Sequence, residues 1–186
     1  MLMLIMLPMW MNFLLRTYSW MTILENNGLI NRFLGLFGIG PFEMINTQGA
    51  VVLGMVYDYL PFMIVPLYTV LMKIDNSLIQ AAQDLGGTPV QVFTHVVLPL
   101  SIPGITTGIT MVFIPAVSTF IISRMLGGGS ELMIGDLIEM QFTGAAYNPN
   151  LGAAISFVLM IIILICMGMM NQFDSDEDKK EENVAI

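Results

Sequence analysis

The chain has 186 residues, 56% hydrophobic and 11% charged, with a formal net charge of −8 and a mean hydropathy of +0.79. Soluble domains carry about a quarter charged residues, so this composition excludes an ordinary water-soluble globule and points to the membrane class. Six Lys and Arg residues without a phosphate-binding cluster exclude nucleic acid as a partner, and a single Cys and a single His leave no intrachain disulfide, metal centre or Cys/His catalytic set.

Four apolar stretches approach the ~20 residues needed to cross a bilayer core of ~30 Å: residues 1–24, 50–72, 102–122 and 151–170. The first opens as MLMLIMLPMW, with neither the basic region nor the small-residue cleavage pattern of a secretory signal. It is read as a true span whose upstream sequence is missing or shortened. Within it Asn12, Arg16, Thr17 and Trp20 fall on one helical side, either lining a route through the protein or locking helices together.

The second stretch carries Asp58, Pro61 and Pro66. Counted from Ala50, Asp58 lies ~12 Å along a helix, deep enough for its carboxylate to require water or a partner. Tyr57 and Tyr68 add aromatic faces that can hold an ammonium group. Two readings stay open for Asp58: an ion pair with Arg16 or a tyrosine hydrogen bond, or a place in a cation path. Prolines and charges inside spans are tolerated where protein or a wet cavity satisfies the freed groups, so the first three stretches should face other helices.

Between the second and third stretches the sequence turns polar and punctuated. Asp75, Asn76 or Ser77 caps a short helix bearing Leu78, Ile79, Ala82 and Leu85 on one face, and Gly86 and Gly87 stop it. Thr88, Pro89 and Gln91 then form a capping box with proline at the first helical position. That second helix is expected to run to Val97 and to close at Pro99. His95 is read as an interfacial residue rather than a ligand.

The third stretch is interrupted by Pro103 and Pro115; the segment after it contains LGGGSE at 126–131, which lacks the Lys of a phosphate loop and reads as a turn. The fourth, LGAAISFVLMIIILICMGMM, has no charge and can face lipid; its Cys166 is a packing residue. Residues 171–186 follow as a separate tail, of which 174–182 hold six acids and two bases, half of the net charge. Dense charge and low hydrophobicity predict a solvated, disordered terminus.

The polar segment at about 73–100 resembles the cytoplasmic EAA loop of ABC importer permeases: EAA, three residues, Gly, nine residues, Ile, one residue, Leu-Pro. Gln80, Ala81, Ala82, Gly86, Val96, Leu98 and Pro99 stand at those spacings, with Gln80 for Glu and Val96 for Ile. Further stretches resemble the PotB-type permeases of spermidine/putrescine importers: LPMWMNFLLRTYSWMTIL (7–24), GMVYDYLPFMIVPLY (54–68), DLGGTPVQVF (84–93), LPLSIPGITTGITMVFIPAVSTF (98–120) and LGGGSELMIGDLIEMQF (126–142).

The resemblance implies an all-α, polytopic, MetI-like helical bundle with about four transmembrane helices over 1–170, in the bacterial plasma membrane. Such permeases usually have six, so the chain is expected to lack the first two. It also implies a division of labour: this chain moves, without a cofactor or metal of its own, while a separate ATPase receives the loop carrying Gln80, Ala81, Ala82, Asp84, Gly86, Leu98 and Pro99. A second permease subunit, an extracellular polyamine-binding protein and membrane lipid are the other implied partners. Family topology puts the loop and tail inside and residues 25–49 and 123–150 outside. The positive-inside count is balanced, with Lys73, Lys179 and Lys180 against Arg16, Arg32 and Arg124, so the loop alone carries the orientation.

Glu25, Glu43, Glu131, Asp136 and Glu139 would then face Arg32 and Arg124 outside, as a vestibule that concentrates a polyamine cation or as plain solvated charge. The candidate substrate path is Tyr57, Asp58, Tyr68, Asp136 and Glu139. A permease for another solute and a nonfunctional truncated membrane fragment are the alternative readings.

Overall fold

The computed structural model describes residues 2–129, 132–144 and 147–184, and every regular element among them is helical. In chain order these are α1 (Leu2–Met6), a 3₁₀ turn (Leu7–Trp10), α2 (Phe13–Leu24), α3 (Leu29–Gly35), α4 (Gln48–Leu71), α5 (Asn76–Asp84) and α6 (Pro89–Val92). A π stretch (Phe93–Val97) follows, then α7 (Leu98–Ser118), α8 (Ile121–Gly127), α9 (Ile134–Thr143) and α10 (Pro149–Val184).

Among the described residues three helical segments are long and apolar enough to cross a membrane: Gln48–Leu71, Pro89–Ser118 and Pro149–Met170. Stretch 1–24 differs from the single span expected of it. Pro8 enters a 3₁₀ turn, Met11 and Asn12 turn extended, and the Asn12 side chain caps α2 by accepting from the Leu14 amide at 2.8 Å. The 12 residues of α2 reach only ~18 Å at 1.5 Å per residue.

The third span also differs in its limits. It is continuous with α6 through the π stretch and ends at Ser118, so Pro99 does not close a helix. At the π stretch the Leu98 amide donates to the Phe93 carbonyl five residues back. This widened turn sits where Pro99 has no N–H to give, and the axis continues through it. Similarly, α10 does not stop at Met170: its backbone stays helical to Val184. No Gly or Pro lies between Met169 and Val184, and Glu, Lys and Gln are good helix formers.

Two compact units divide the chain. One comprises Met1–Pro61 and Ile114–Ile161, the other Phe62–Phe113 and Ile162–Ile186. In the first unit α2 packs on α8, and the buried apolar residues are Leu24, Ala50, Val51, Tyr59, Ile122, Leu126 and Leu159. Ile122, expected inside the third span, is instead fully buried on α8. Asn31 clamps the 25–42 segment, its Nδ2 donating to the Phe42 carbonyl at 2.8 Å and its Oδ1 accepting from the Phe42 amide at 2.9 Å.

In the second unit, α7 turns Ser101, Gly104 and Gly108 inward, the two glycines lying close to Leu67, Val70 and Met63 of α4. Only 6% of the apolar window of Pro149–Met170 is buried among the described residues, against 33% for Gln48–Leu71.

Candidate functional site

The first candidate region is α5, its turn and α6, all in the second unit. Asp75 is the residue that caps α5, its carboxylate accepting from the Ser77 amide at 2.9 Å. That backbone hydrogen bond, helped by the Ser77 side chain, holds the Asp75 carboxyl below the usual carboxylate range. Gln80, Ala81, Ala82 and Asp84 lie on α5; all but the half-buried Ala82 are exposed. Gly86 then turns the chain at φ +84°, in the left-handed region that glycine enters without strain.

The expected capping box is made: the Thr88 amide donates to Gln91 Oε1 at 2.9 Å, and the Gln91 amide donates to Thr88 Oγ1. Between the two helices lies a groove of about 390 Å³ lined chiefly by Ala82, Leu85, Gly86, Gln91, Val92 and His95. His95 Nδ1 lies 3.0 Å from the Gln91 carbonyl and 2.9 Å from the Thr94 hydroxyl, on the exposed side. Leu85 is 90% exposed at the tip of the turn, and Leu98 and Pro99 open α7, both exposed. The result is a rigidly capped, polar helix pair with an apolar tip, a shape suited to insertion into a cleft of another protein.

The second region is a chain of buried polar groups in the first unit. Asp58, 1% exposed, is paired with the Arg16 guanidinium through Oδ1 and Nε, and its Oδ2 accepts from Thr17 Oγ1 at 3.3 Å. Of the readings open for Asp58, the Arg16 pair is the one the fold makes. Tyr57 meets the Trp20 ring edge-on at 5.3 Å and lies under the Arg16 guanidinium. Of the α2 side chains assigned to one face, Arg16, Thr17 and Trp20 do turn to α4, whereas Asn12 is a cap outside the helix. Tyr68 belongs to the other unit, 46% exposed.

Asp136 and Glu139 lie one turn apart on α9. Asp136 is 2% exposed; its Oδ2 accepts from Ser123 Oγ at 2.5 Å and from the Met133 amide at 2.9 Å, so it ties α8 to the start of α9. Glu139 pairs with Arg124 at 2.5 Å and accepts from the Thr143 hydroxyl. Of the other acids expected to face outward, Glu25 and Glu43 are exposed, as is Arg32. Glu131 lies outside the described residues. Ser123, fully buried, was not singled out by sequence; a hydroxyl next to apolar residues carries no signal until a partner helix is placed. Among the described residues no three of His, Cys, Asp and Glu converge as a metal site.

The family described as "Binding-protein-dependent transport system inner membrane component" matches residues 1–177. The spermidine/putrescine transport system permease protein PotB of Escherichia coli K12 is 39% identical over 169 residues, covering 90% of this chain and 60% of that protein. The protein of the same name from Haemophilus influenzae is 40% identical over 164 residues, covering 87% and 57%. The inner membrane ABC transporter permease protein YdcU of E. coli is 33% identical over 181 residues, covering 90% and 57%. The chain thus spans 57–60% of the length of these curated relatives.

Proposed function

Because this multi-pass membrane chain belongs to the family of binding-protein-dependent transport system inner membrane components, we propose that it acts as a permease subunit of an ABC importer for spermidine and putrescine. The observation that carries the substrate reading is the 39–40% identity to permeases named for spermidine/putrescine transport. The chain is the moving part, and ATP is hydrolysed on a separate subunit. That ATPase receives α5 and its tip, with Gln80, Ala81, Ala82, Asp84 and Gly86 entering the cleft and Leu98 and Pro99 passing the movement to the span. A second permease subunit and an extracellular binding protein complete the assembly, and residues 171–186 form a cytoplasmic tail.

In the first unit Tyr57, Asp58, Asp136 and Glu139 supply carboxylates and an aromatic face to substrate passage, and in the other unit Tyr68 supplies an exposed aromatic face. The chemistry at Asp58 and Tyr57 supports this assignment: a polyamine is a flexible chain of ammonium groups, and a buried carboxylate with an aromatic face nearby is what such a group recognises.

Co-purification with the ATPase subunit of the same genome tests the coupling reading, and competition of uptake by unlabelled polyamines against other solutes tests the substrate reading. Retention of the ATPase by wild type and its loss from Gly86→Trp is the expected result. Equal retention by both sinks the assignment of the loop, and uptake that polyamines do not compete sinks the substrate.

A further inference from the structure

The Arg16 guanidinium lies in a receptor for a cation. Around it stand the Asp58 carboxylate, the faces of Phe13 and Tyr57 at 5.9 and 5.8 Å, and the Pro8 carbonyl, which accepts from Nη1 at 3.1 Å. Trp20 fixes the Tyr57 ring from the side at 5.3 Å, and Thr17 holds the second carboxylate oxygen at 3.3 Å. A carboxylate, two aromatic faces and a carbonyl are the donor set by which proteins enclose alkylammonium and guanidinium groups. Here the ligand is a side chain of the same chain, and the site is closed: the side chains of Arg16 and Asp58 are 9% and 1% exposed.

The two halves of the site differ in how firmly they are held. Asp58 and Tyr57 sit in the middle of the 24-residue α4. Arg16 lies in the first turn of α2, directly after Met11 and Asn12, whose ψ angles of 152° and 131° interrupt the helical path. Rotation at that two-residue joint takes the Pro8 carbonyl off Nη1, and the flexible Arg16 stem can then swing the guanidinium away by its own side-chain torsions, with α2 still packed on α8 and the carboxylate and Tyr57 face still on α4.

We propose that this is a self-occupied organic-cation site, in which Arg16 is a tethered plug that gives way to an ammonium group of the transported molecule. Identification of that molecule as a polyamine rests on the function proposed above; the plugged box itself does not. A plug makes ligand affinity depend on the open fraction, since apparent affinity falls in proportion to the competent population. Removing the plug should therefore expose the site to small cations that the wild-type chain largely ignores.

The test uses the full chain in lipid nanodiscs with Trp10→Phe, which leaves Trp20 as the single tryptophan. Putrescine, spermidine and methylguanidinium are titrated against Trp20 emission and thermal stability, with NaCl at matched ionic strength as control. In Arg16→Ala the expected result is a saturable response at a concentration at least about tenfold below that for the wild type, as for a site about one-tenth open, and loss of that response in Arg16→Ala/Asp58→Asn. If Arg16→Ala does not fold, Arg16→Gln, which keeps the stem and removes the charge, takes its place.

A folded plug-less variant that responds to the organic cations no more than to NaCl, or equally with Asn at 58, overturns the proposal and leaves an ion pair that only joins α2 to α4. Response to methylguanidinium without response to either polyamine supports the box and counts against polyamine as the substrate. Polyamine uptake by cells, together with a silent Arg16→Ala, overturns the box alone.

Discussion

Replacing Asp136 with Ala should be among the most damaging single changes in the first unit, because one carboxylate oxygen serves two elements. Its Oδ2 accepts from Ser123 Oγ on α8 and from the Met133 amide at the start of α9. Loss of an N-terminal cap costs about 1 kcal/mol, and loss of a buried hydrogen bond to a charged group about 1.5–3 kcal/mol. The sum is about 2.5–4 kcal/mol, or roughly 10 °C in Tm at the ~2–4 °C per kcal/mol of a chain this size.

Ser123→Ala removes the bond to Asp136, together with the local one to the Phe120 carbonyl, and should cost about 1.5–3 kcal/mol. The double variant should fall short of the sum by about 1.5–3 kcal/mol, since both changes delete the same contact. Asp136→Asn keeps an acceptor for the Met133 amide and should lose about half as much as Ala. Thermal unfolding in detergent, followed by circular dichroism across the wild type and the four variants, measures all of these. Additive losses, or a loss below about 1 kcal/mol for Asp136→Ala, would refute the claim that this carboxylate joins α8 to α9.

Three further predictions concern other parts of the chain. Gly86→Val should cost about 1–2 kcal/mol from left-handed backbone, because a Cβ there meets nothing within 4 Å; Gly86→Ala/Asn comparisons by unfolding should then favour Asn, and equal stability of Val and Gly would contradict the turn geometry. Gly135→Ala should prevent stable packing of α9, since a Cβ there runs into the backbone carbonyls of Ser118 and Thr119, which cannot move aside as a side chain does; wild-type detergent stability would contradict it.

The Asp75 cap sets a pH dependence on α5. Its folded pKa is depressed by the Ser77 amide, so the cap's contribution is complete above the ordinary Asp value of about 4 and disappears as pH falls through the lower folded value. Hydrogen exchange of the α5 amides should show extra opening, after correction for intrinsic rates, below about pH 4, and Asp75→Asn should abolish that pH response; the same response in both would remove Asp75 as its source.

The α5–α6 region was legible because its chemistry is local. Asp75, Gly86 and the Thr88/Gln91 box each act within three residues, so spacing alone specifies them. The span limits were less legible, since hydropathy does not report where a backbone breaks: Pro8 and Asn12 divide a stretch whose average hydropathy reads as one span, while Pro99 leaves its helix continuous because a π turn absorbs it. Long-range pairs divide in the same way. Arg16 and Asp58 could be matched in advance because opposite charges in apolar spans need each other. Ser123 with Asp136, and Asn31 with Phe42, required the tertiary arrangement, since a Ser or Asn in an apolar run has too many possible partners.

Uptake of labelled putrescine and spermidine tests the central claim most directly, in bacteria lacking polyamine import and expressing this chain with the ATPase, second permease and binding protein of its own genome. The account predicts saturable uptake that disappears in Gly86→Trp and that unlabelled polyamines, but not inorganic ions or sugars, compete away. Cells that express the assembled complex and accumulate no polyamine above the vector control would contradict it.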